Sequence, residues 1–224
     1  MADKDEKEVI VDVEEVYSKS EEFVNDNQNM IMTGVGVIVI IVAFIYGFNR
    51  YYLMPMEETA STEMFQAEQY FATDSFSLAL NGDGNALGML DLIEDYGSTN
   101  AGNLASYYAG ICYLQLGQHE NAIEHLNDFS TSGILGPAAK GALGDAYAGS
   151  GNMDKALSSY EAAADMDQNE FTTPIFLFKA GLAAEEVGDY DRAVRLYGKL
   201  KKDYANSREG RDAAKYLARS QAKL

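Results

Sequence analysis

The chain has 224 residues and a formal net charge of −18, with 35 Asp and Glu against 17 Lys and Arg. Because it offers no excess of positive charge to displace counterions from phosphates, this balance argues against nucleic-acid binding. The single cysteine, Cys112, excludes an internal disulfide, and its apolar neighbours predict a small buried side chain rather than a nucleophile.

Residues 1–29 form an acidic N-terminal tail with ten Asp or Glu and three Lys. Within the tail, Val9, Val13, Val16 and Phe23 recur at roughly helical spacing among acidic residues. Two interpretations remain open. The tail is either a disordered acidic segment or an amphipathic helix at the membrane surface or against a membrane partner.

Residues 30–48, MIMTGVGVIVIIVAFIYGF, contain no charged side chain, and eleven of them are Ile, Val or Phe. As a helix with a rise of about 1.5 Å per residue, this run has nearly the thickness of the bilayer's hydrocarbon core. A buried core helix would normally keep a polar stripe, and none is present here. The sequence therefore predicts one uncleaved transmembrane helix at 30–48, followed by a linker at 49–59.

The distribution of Lys and Arg predicts the orientation of this helix. Lys4, Lys7 and Lys19 precede it, whereas Arg50 follows it and no further Lys or Arg occurs until Lys140. Since positive residues are enriched on the cytoplasmic side, we expect the N-terminus in the cytoplasm and the large C-terminal domain outside it. The asymmetry is small, so a domain that faces the cytosol, as in a receptor on an organelle surface, remains an alternative.

Beyond this segment the sequence repeats itself, with three kinds of position recurring at equal spacing. The early glycines are Gly110, Gly144 and Gly181. The turn glycines are Gly117, Gly151 and Gly188. The alanines of the second helix are Ala122, Ala156 and Ala193. Each series steps by 34 and then by 37 residues, and a 34-residue period of helix, glycine turn and helix is typical of tetratricopeptide repeats.

Each series has a physical role in such a repeat. The early glycines let the second helix pack close to the first, and we expect them to face the alanines. The turn glycines supply the left-handed conformation that ends the first helix. Leu126, Tyr160 and Tyr197 occupy a large apolar position, which we expect to pack against the following repeat.

The predicted fold is therefore all-α, with a transmembrane helix followed by a tetratricopeptide-like α-solenoid over residues 60–224. A degenerate first repeat at 60–100 would contain helices at 60–80 and 85–96, separated by the turn NGDG. The better-formed repeats and the terminal helix are predicted at about 103–136, 137–170, 174–207 and 208–224. Ala213, Tyr216 and Leu217 face inward in this terminal helix, whose basic outer face suits a solenoid cap.

Sequence motifs give little support to catalysis, so we predict that the protein is not an enzyme and uses no cofactor or metal. The two histidines, His119 and His125, are six residues apart and point to different faces of a helix. Sequence patterns typical of nucleotide-binding loops, serine hydrolases and zinc sites are absent from the chain.

A binding groove lined by the first helix of each repeat is the expected functional surface. Its predicted lining residues are Tyr107, Ile111, Leu114, Asp145, Phe178, Leu182 and Glu185. Packing between repeats is the alternative role of the apolar members. Residues 51–139 carry twelve acids and no base, which indicates either a solvated face or a surface that attracts a partner electrostatically.

The whole layout resembles the bacterial ancillary subunits of the Sec translocon. The resemblance is most specific in VEEVYSKSEEFVNDNQNMIMTGVGVIVIIVAFIYGFNRYY, where a tail helix, an Asn/Gln patch, a glycine-bearing span and an Arg-aromatic exit follow in order. The repeats here are better formed than is usual in that family. Envelope coordinators of outer-membrane assembly or of the Tol system, whose repeats contain runs like EDYGSTNAG and KDYANSREG, therefore remain possible relatives.

This resemblance implies a single-pass protein of the bacterial inner membrane with a cytoplasmic N-terminus and a periplasmic C-terminal domain. It also implies partners: a SecYEG-type translocon, a membrane-anchored periplasmic chaperone and exported clients. The expected function is a scaffold for protein export or envelope biogenesis. Besides the cytosol-facing receptor, a self-associating structural scaffold remains an alternative.

Overall fold

The computed structural model describes residues 21–130, 133 and 135–224, and these residues form helices without any strand. The prediction of an all-α repeat fold is confirmed. The chain divides into one compact unit that ends at Met54 and a second unit, Pro55–Leu224. The predictions for Val9, Val13 and Val16 lie outside the described residues.

In the first unit, residues 21–26 are helical, and helix α1, Gln28–Phe48, contains the apolar run. No residue of α1 is buried. The most apolar window of this helical region has a mean hydropathy of 2.5, and none of it is buried. By length and composition, this region can cross a membrane.

The predicted linker at 49–59 is helical throughout. Asn49–Leu53 form a π-helical turn, and α2 extends over Met54–Ala72. The segment contains no glycine, and its one proline, Pro55, follows the π-helical turn by two residues.

The second unit contains three helix pairs that pack in chain order and a final helix. The pairs are α5 (Asn100–Gln115) with α6 (His119–Asp128), α7 (Gly136–Gly149) with α8 (Met153–Met166), and α9 (Thr173–Glu186) with α10 (Tyr190–Asp203). Helix α11, Arg208–Gln221, packs on both helices of the last pair. First helices also meet directly, α5 with α7.

The first helix of each pair ends in the same way, with Gly117, Gly151 and Gly188 at φ values of 72°, 80° and 80°. The residue after each glycine donates its backbone N–H to a carbonyl five residues back, as Gln118 does to Tyr113 at 2.8 Å. This is the Schellman arrangement, which satisfies the last carbonyls of a helix and strains any residue with a Cβ at the glycine position.

The early glycines lie against the large apolar residue of the second helix rather than against its alanine, which corrects the predicted pairing. A Cβ built on Gly144 would overlap the ring of Tyr160, and the same holds for Gly110 with Leu126 and Gly181 with Tyr197. The alanines of the series, Ala122, Ala156 and Ala193, are fully buried one helical turn earlier.

The first repeat has its turn at Asp74, not at the NGDG sequence over 81–84. Asp74 has a φ of 57°, and the N–H of Ser75 bonds to the carbonyl of Tyr70 at 2.9 Å, as in the other Schellman turns. Ala67 and Ala79, both fully buried, lie seven residues before and five after this turn, which are the positions of Gly110 and Ala122 relative to Gly117.

The predicted helix at 60–80 is therefore divided between the end of α2 and a short helix, α3 (Phe76–Asn81), and the predicted helix at 85–96 begins only at Met89. α3 begins the second helix of this repeat, and α4, Met89–Tyr96, follows the loop 82–88. The step from Asp74 to Gly117 is 43 residues, nine more than the regular period, and the loop accounts for most of the excess. The loop is held by Asp83, which accepts a hydrogen bond from Tyr70 Oη at 2.8 Å.

Helix α11 begins like α5. The Thr99 hydroxyl accepts a hydrogen bond from the N–H of Gly102, and the Ser207 hydroxyl accepts one from the N–H of Gly210. These N-caps fall in the related sequences EDYGSTNAG and KDYANSREG. α11 therefore begins like the first helix of a repeat, with Ala213 fully buried and Tyr216 and Leu217 half-buried.

Candidate protein-binding cleft

The structure divides the seven predicted groove residues into packing residues, ion-paired residues and one open residue. Tyr107, Ile111 and Leu114 are half-buried against the apolar cluster that joins the first two helix pairs. The Tyr107 ring centroid lies 5.4 Å from that of Phe129. Their burial favours packing between repeats as the role of these three side chains.

Phe178 is also part of the packing, at the junction with the terminal helix. Its ring meets that of Tyr216 edge to face, with centroids 4.8 Å apart and planes at 83°. Tyr197 lies on its other side at 6.1 Å. Aromatic pairs of this geometry stabilise beyond the area they bury, so Phe178 anchors α11 to α9.

Asp145 links three helices. Its carboxylate accepts a hydrogen bond from Tyr160 Oη at 2.7 Å and pairs with Lys179 Nζ at 2.7 Å. Burial of the phenol and its bond to this carboxylate raise the pKa of Tyr160, so the phenol remains a donor. Asp145 therefore fixes Tyr160 and Lys179 relative to each other.

Glu185 binds the terminal helix. It pairs with Arg219, and it accepts hydrogen bonds from Ser220 Oγ at 2.6 Å and Tyr197 Oη at 3.3 Å. Burial opposes the ionisation of Glu185, but the bonds from Arg219 and Ser220 outweigh it and lower the pKa of this carboxyl. The residue is thus a clamp on α11 rather than an open ligand.

Leu182 is the one predicted apolar residue that stands open, with 38% of its surface exposed. It lines two neighbouring depressions of about 270 Å³ and 420 Å³, which also share Glu186. The first is lined by Ala148, Met153, Tyr160, Lys179, Leu182, Ala183 and Glu186. The second is lined by Leu182, Glu185, Glu186, Tyr190, Arg219 and Lys223. We refer to both together as the Leu182 cleft.

The chemistry of the Leu182 cleft suits an apolar side chain flanked by polar groups. Ala148, Met153 and Leu182 supply apolar surface, while Lys179 and Glu186 place one charge of each sign at its edge. The second depression adds Arg219 and Lys223. Ligand pockets in proteins combine a mostly apolar lining with a few placed polar groups.

Sequence reasoning missed most of the cleft because its lining comes from both sides of a repeat boundary. Met153 lies just after the turn glycine Gly151, and Lys179 lies on the next repeat. A period of 34 residues predicts each helix, but the cleft depends on how neighbouring helix pairs meet.

The histidines and the cysteine do not form a metal-binding or catalytic cluster with the acidic residues that the structure describes. Among the described residues, no three His, Cys, Asp or Glu are grouped so that they could hold a metal ion. The His125 ring stacks on Tyr113 at 5.3 Å, and the His119 ring lies against Gly149. Cys112 is fully buried, and burial raises the pKa of its thiol to about 12.

Comparison with known proteins agrees with this architecture. Two family models described as tetratricopeptide repeat match the chain, one at residues 104–131 and 176–207 and the other at 138–170. Over 147 residues the chain is 26% identical to Superkiller complex protein 3 of Mus musculus, a match that covers 64% of this chain and 9% of that protein.

Solved structures give the same fold. Two crystal structures of the nearly identical TPR-like repeats of a Podosopora anserina putative kinesin light chain, one of them a single-residue variant, each superpose with a TM-score of 0.56 at 14% identity. Each match covers 75% of this chain and 87% of the other. The family matches coincide with the pairs α5–α6, α7–α8 and α9–α10, so these three helix pairs are tetratricopeptide repeats.

Proposed function

We propose that this protein is a membrane-anchored tetratricopeptide scaffold that binds other proteins at the bacterial inner membrane. In this proposal α1 spans the membrane, the tail is cytoplasmic and the repeats are periplasmic. The repeat architecture supports protein binding, because stacked helix pairs present extended binding surfaces. No residue of α1 is buried, and this open apolar surface supports the anchor.

The partners in this proposal are a SecYEG-type translocon, a membrane-anchored periplasmic chaperone and exported clients. The supporting argument is the resemblance of residues 13–52 to the ancillary Sec-translocon subunits, together with a scaffold that lacks evident catalytic motifs. A role in protein export or envelope biogenesis follows from such partners.

The Leu182 cleft is the observation that supports this function most directly. It is an open, largely apolar depression where the second and third helix pairs meet, with Glu186 and Lys179, which is itself paired with Asp145, among its lining residues. A partner segment with an apolar side chain would bury Leu182 and Met153, and its own polar groups would meet Lys179 and Glu186. A few side chains buried in well-packed pockets carry most of the binding free energy of many interfaces.

Replacement of Leu182 by Ser tests the proposal, with Leu116→Ser as the matched control. The two leucines are 38% and 41% exposed, but Leu116 lies at the end of α5, away from the cleft. We expect Leu182→Ser to reduce recovery of the translocon and the chaperone with the full-length protein after crosslinking in membranes. Leu116→Ser should leave recovery unchanged, and equal recovery with both variants would contradict the proposal.

A further inference from the structure

The loop between α8 and α9, residues 167–172, holds the most exposed large apolar side chain in the part of the chain that the structure describes. Phe171 is 83% exposed and belongs to none of the apolar clusters of the described residues. Met166 at the end of α8 and Ile175 in the first turn of α9 are 46% and 39% exposed. A single exposed apolar residue is ordinary, whereas here three large ones lie within ten residues of sequence.

Hydrogen bonds fix the backbone that carries Phe171. The side-chain Oδ1 of Asn169 accepts bonds from the backbone N–H groups of Phe171 and Thr172, both at 2.8 Å. Asn169 donates its own backbone N–H to the hydroxyl of Thr173, which is fully buried and donates to the Asp167 carbonyl at 3.1 Å. Because these bonds already fix the loop, a partner that encloses the Phe171 ring has little besides that ring to immobilise.

The sequence around Phe171 is acidic. Asp165, Asp167 and Glu170 are exposed, and residues 156–178 contain no Lys, Arg or His. Asp165 pairs with a lysine of α10 at 3.6 Å, but neither of the other two carboxylates takes part in an ion pair of the described residues. Phe171 is therefore flanked by two carboxylates whose charge is not neutralised within this part of the chain.

This charge decides between two kinds of occupant. An anionic lipid surface would accept an aromatic ring, but it would repel the carboxylates of Asp167 and Glu170. An apolar pocket on a protein, with Lys or Arg at its rim, accepts the ring and attracts both carboxylates. Aromatic side chains that enter such pockets are frequent anchors of protein interfaces, and a polar rim around them excludes water.

We propose that residues 167–172, the Phe171 knob, insert into an apolar pocket with a basic rim on a partner protein. The Phe171 ring fills the pocket, and Asp167 and Glu170 pair with lysine or arginine side chains at its rim. None of the residues of the knob lines the Leu182 cleft. The knob is a second docking surface, and its test is independent of a segment bound in the cleft.

Site-specific photocrosslinking tests the knob. The full-length chain carries p-benzoylphenylalanine in place of Phe171 and is irradiated in native membranes. We expect one discrete adduct with another protein, and its yield should fall about tenfold when Asp167→Lys and Glu170→Lys are combined, because both contacts become repulsive. Glu170→Lys alone should also lower the yield, and this side chain takes no part in the hydrogen bonds that fix the loop.

Glu94→Lys combined with Asp95→Lys is the matched control, because it reverses one Glu and one Asp at exposed positions of α4, outside the knob. This variant should keep the full yield, and circular dichroism checks that each variant is folded. The same crosslinker in place of Phe65, which is 60% exposed on α2, should give a yield that does not respond to the reversals in the knob.

Four results would each overturn the proposal. They are the lack of a discrete adduct from the position of Phe171, an adduct whose yield is unchanged by the charge reversals in the knob, an adduct with lipid, and an adduct with a second copy of this chain.

Discussion

At the scale of single residues, the repeat depends on a few positions where a side chain would not fit. Gly144 faces the ring of Tyr160, whose hydroxyl is in turn fixed by Asp145. The early glycine, the large apolar residue and the carboxylate therefore act together to join the two helices of the middle repeat. Sequence reasoning identified the glycine but assigned it the wrong neighbour, because helix spacing alone does not give the crossing of two helices.

Gly144→Leu is expected to destabilise the protein by about 1–3 kcal/mol, since the new side chain must displace the Tyr160 ring from a closely packed site. The free energy of unfolding, measured by denaturant titration, checks this. Gly198→Leu is the control, because Gly198 lies in α10 with no atom within 4 Å of the position of a Cβ. That change should leave the stability unaltered or raise it, as leucine favours helix. Equal losses in both variants would contradict the assigned contact.

At the scale of helices, the sequence repeat predicts three helix pairs correctly but not the helices of the first repeat. The two glycine series predict the pairs α5–α6, α7–α8 and α9–α10 because each of those repeats has its early glycine and its turn glycine. The first repeat was misplaced because Asp74 takes the turn position and Ala67 takes the early glycine position. The loop 82–88 also interrupts its second helix, so neither the residue identities nor the period indicates its register.

Asp74→Gly is expected to stabilise the first repeat by about 0.5–1 kcal/mol, because glycine adopts a positive φ with less strain than a residue with a Cβ. Asp74→Val should destabilise it, since a β-branched residue is poorly tolerated there. Denaturant midpoints of the two variants test the turn. If both changes move the midpoint in the same direction, the left-handed turn at this position is wrong.

The hydrogen bonds and ion pair by which Glu185 clamps α11 predict how the stability of the fold depends on pH. Because the pKa of Glu185 is lowered from its ordinary value of 4.5, its carboxylate stabilises the fold above that value and loses this contribution as pH falls through the folded pKa. Glu185→Gln should cost about 1–3 kcal/mol near neutral pH, the loss of a charged hydrogen-bond acceptor.

The cost of Glu185→Gln should shrink in acid, where the native carboxyl is protonated as well. Unfolding titrations of the variant and the unaltered chain at neutral and acidic pH measure this difference. Glu186→Gln, an adjacent exposed acid in the same helix, serves as the control and should show little effect at either pH. A cost for Glu185→Gln that is independent of pH would contradict the clamp.

At the scale of the whole molecule, an apolar helix precedes a repeat unit with an uneven charge distribution. The apolar run and the repeat period could be predicted from composition and spacing. The roles of the groove residues could not, because Asp145 and Glu185 are occupied by ion pairs that join distant parts of the sequence. Only Leu182 remained open among the predicted apolar residues.

The acidic segment, residues 51–139, contains a carboxylate with a structural role as well as exposed carboxylates. Glu57 accepts hydrogen bonds from the backbone N–H groups of Asn100 and Ala101, so it caps the start of α5. Glu58 and Glu63 are exposed. A test of electrostatic attraction between this segment and a partner should therefore neutralise Glu58 and Glu63 and retain Glu57.

The central claim, a repeat domain on the far side of the membrane from the tail, is tested most directly by cysteine accessibility. Ser150 is exposed beside the turn glycine Gly151, and the native Cys112 is buried with a raised thiol pKa, so Ser150→Cys supplies the reactive site. In intact cells, a membrane-impermeant maleimide that reaches the periplasm should label Ser150→Cys and leave the unaltered protein unlabelled. Labelling of Ser150→Cys only after the inner membrane is opened would contradict the claim and place the repeats in the cytosol.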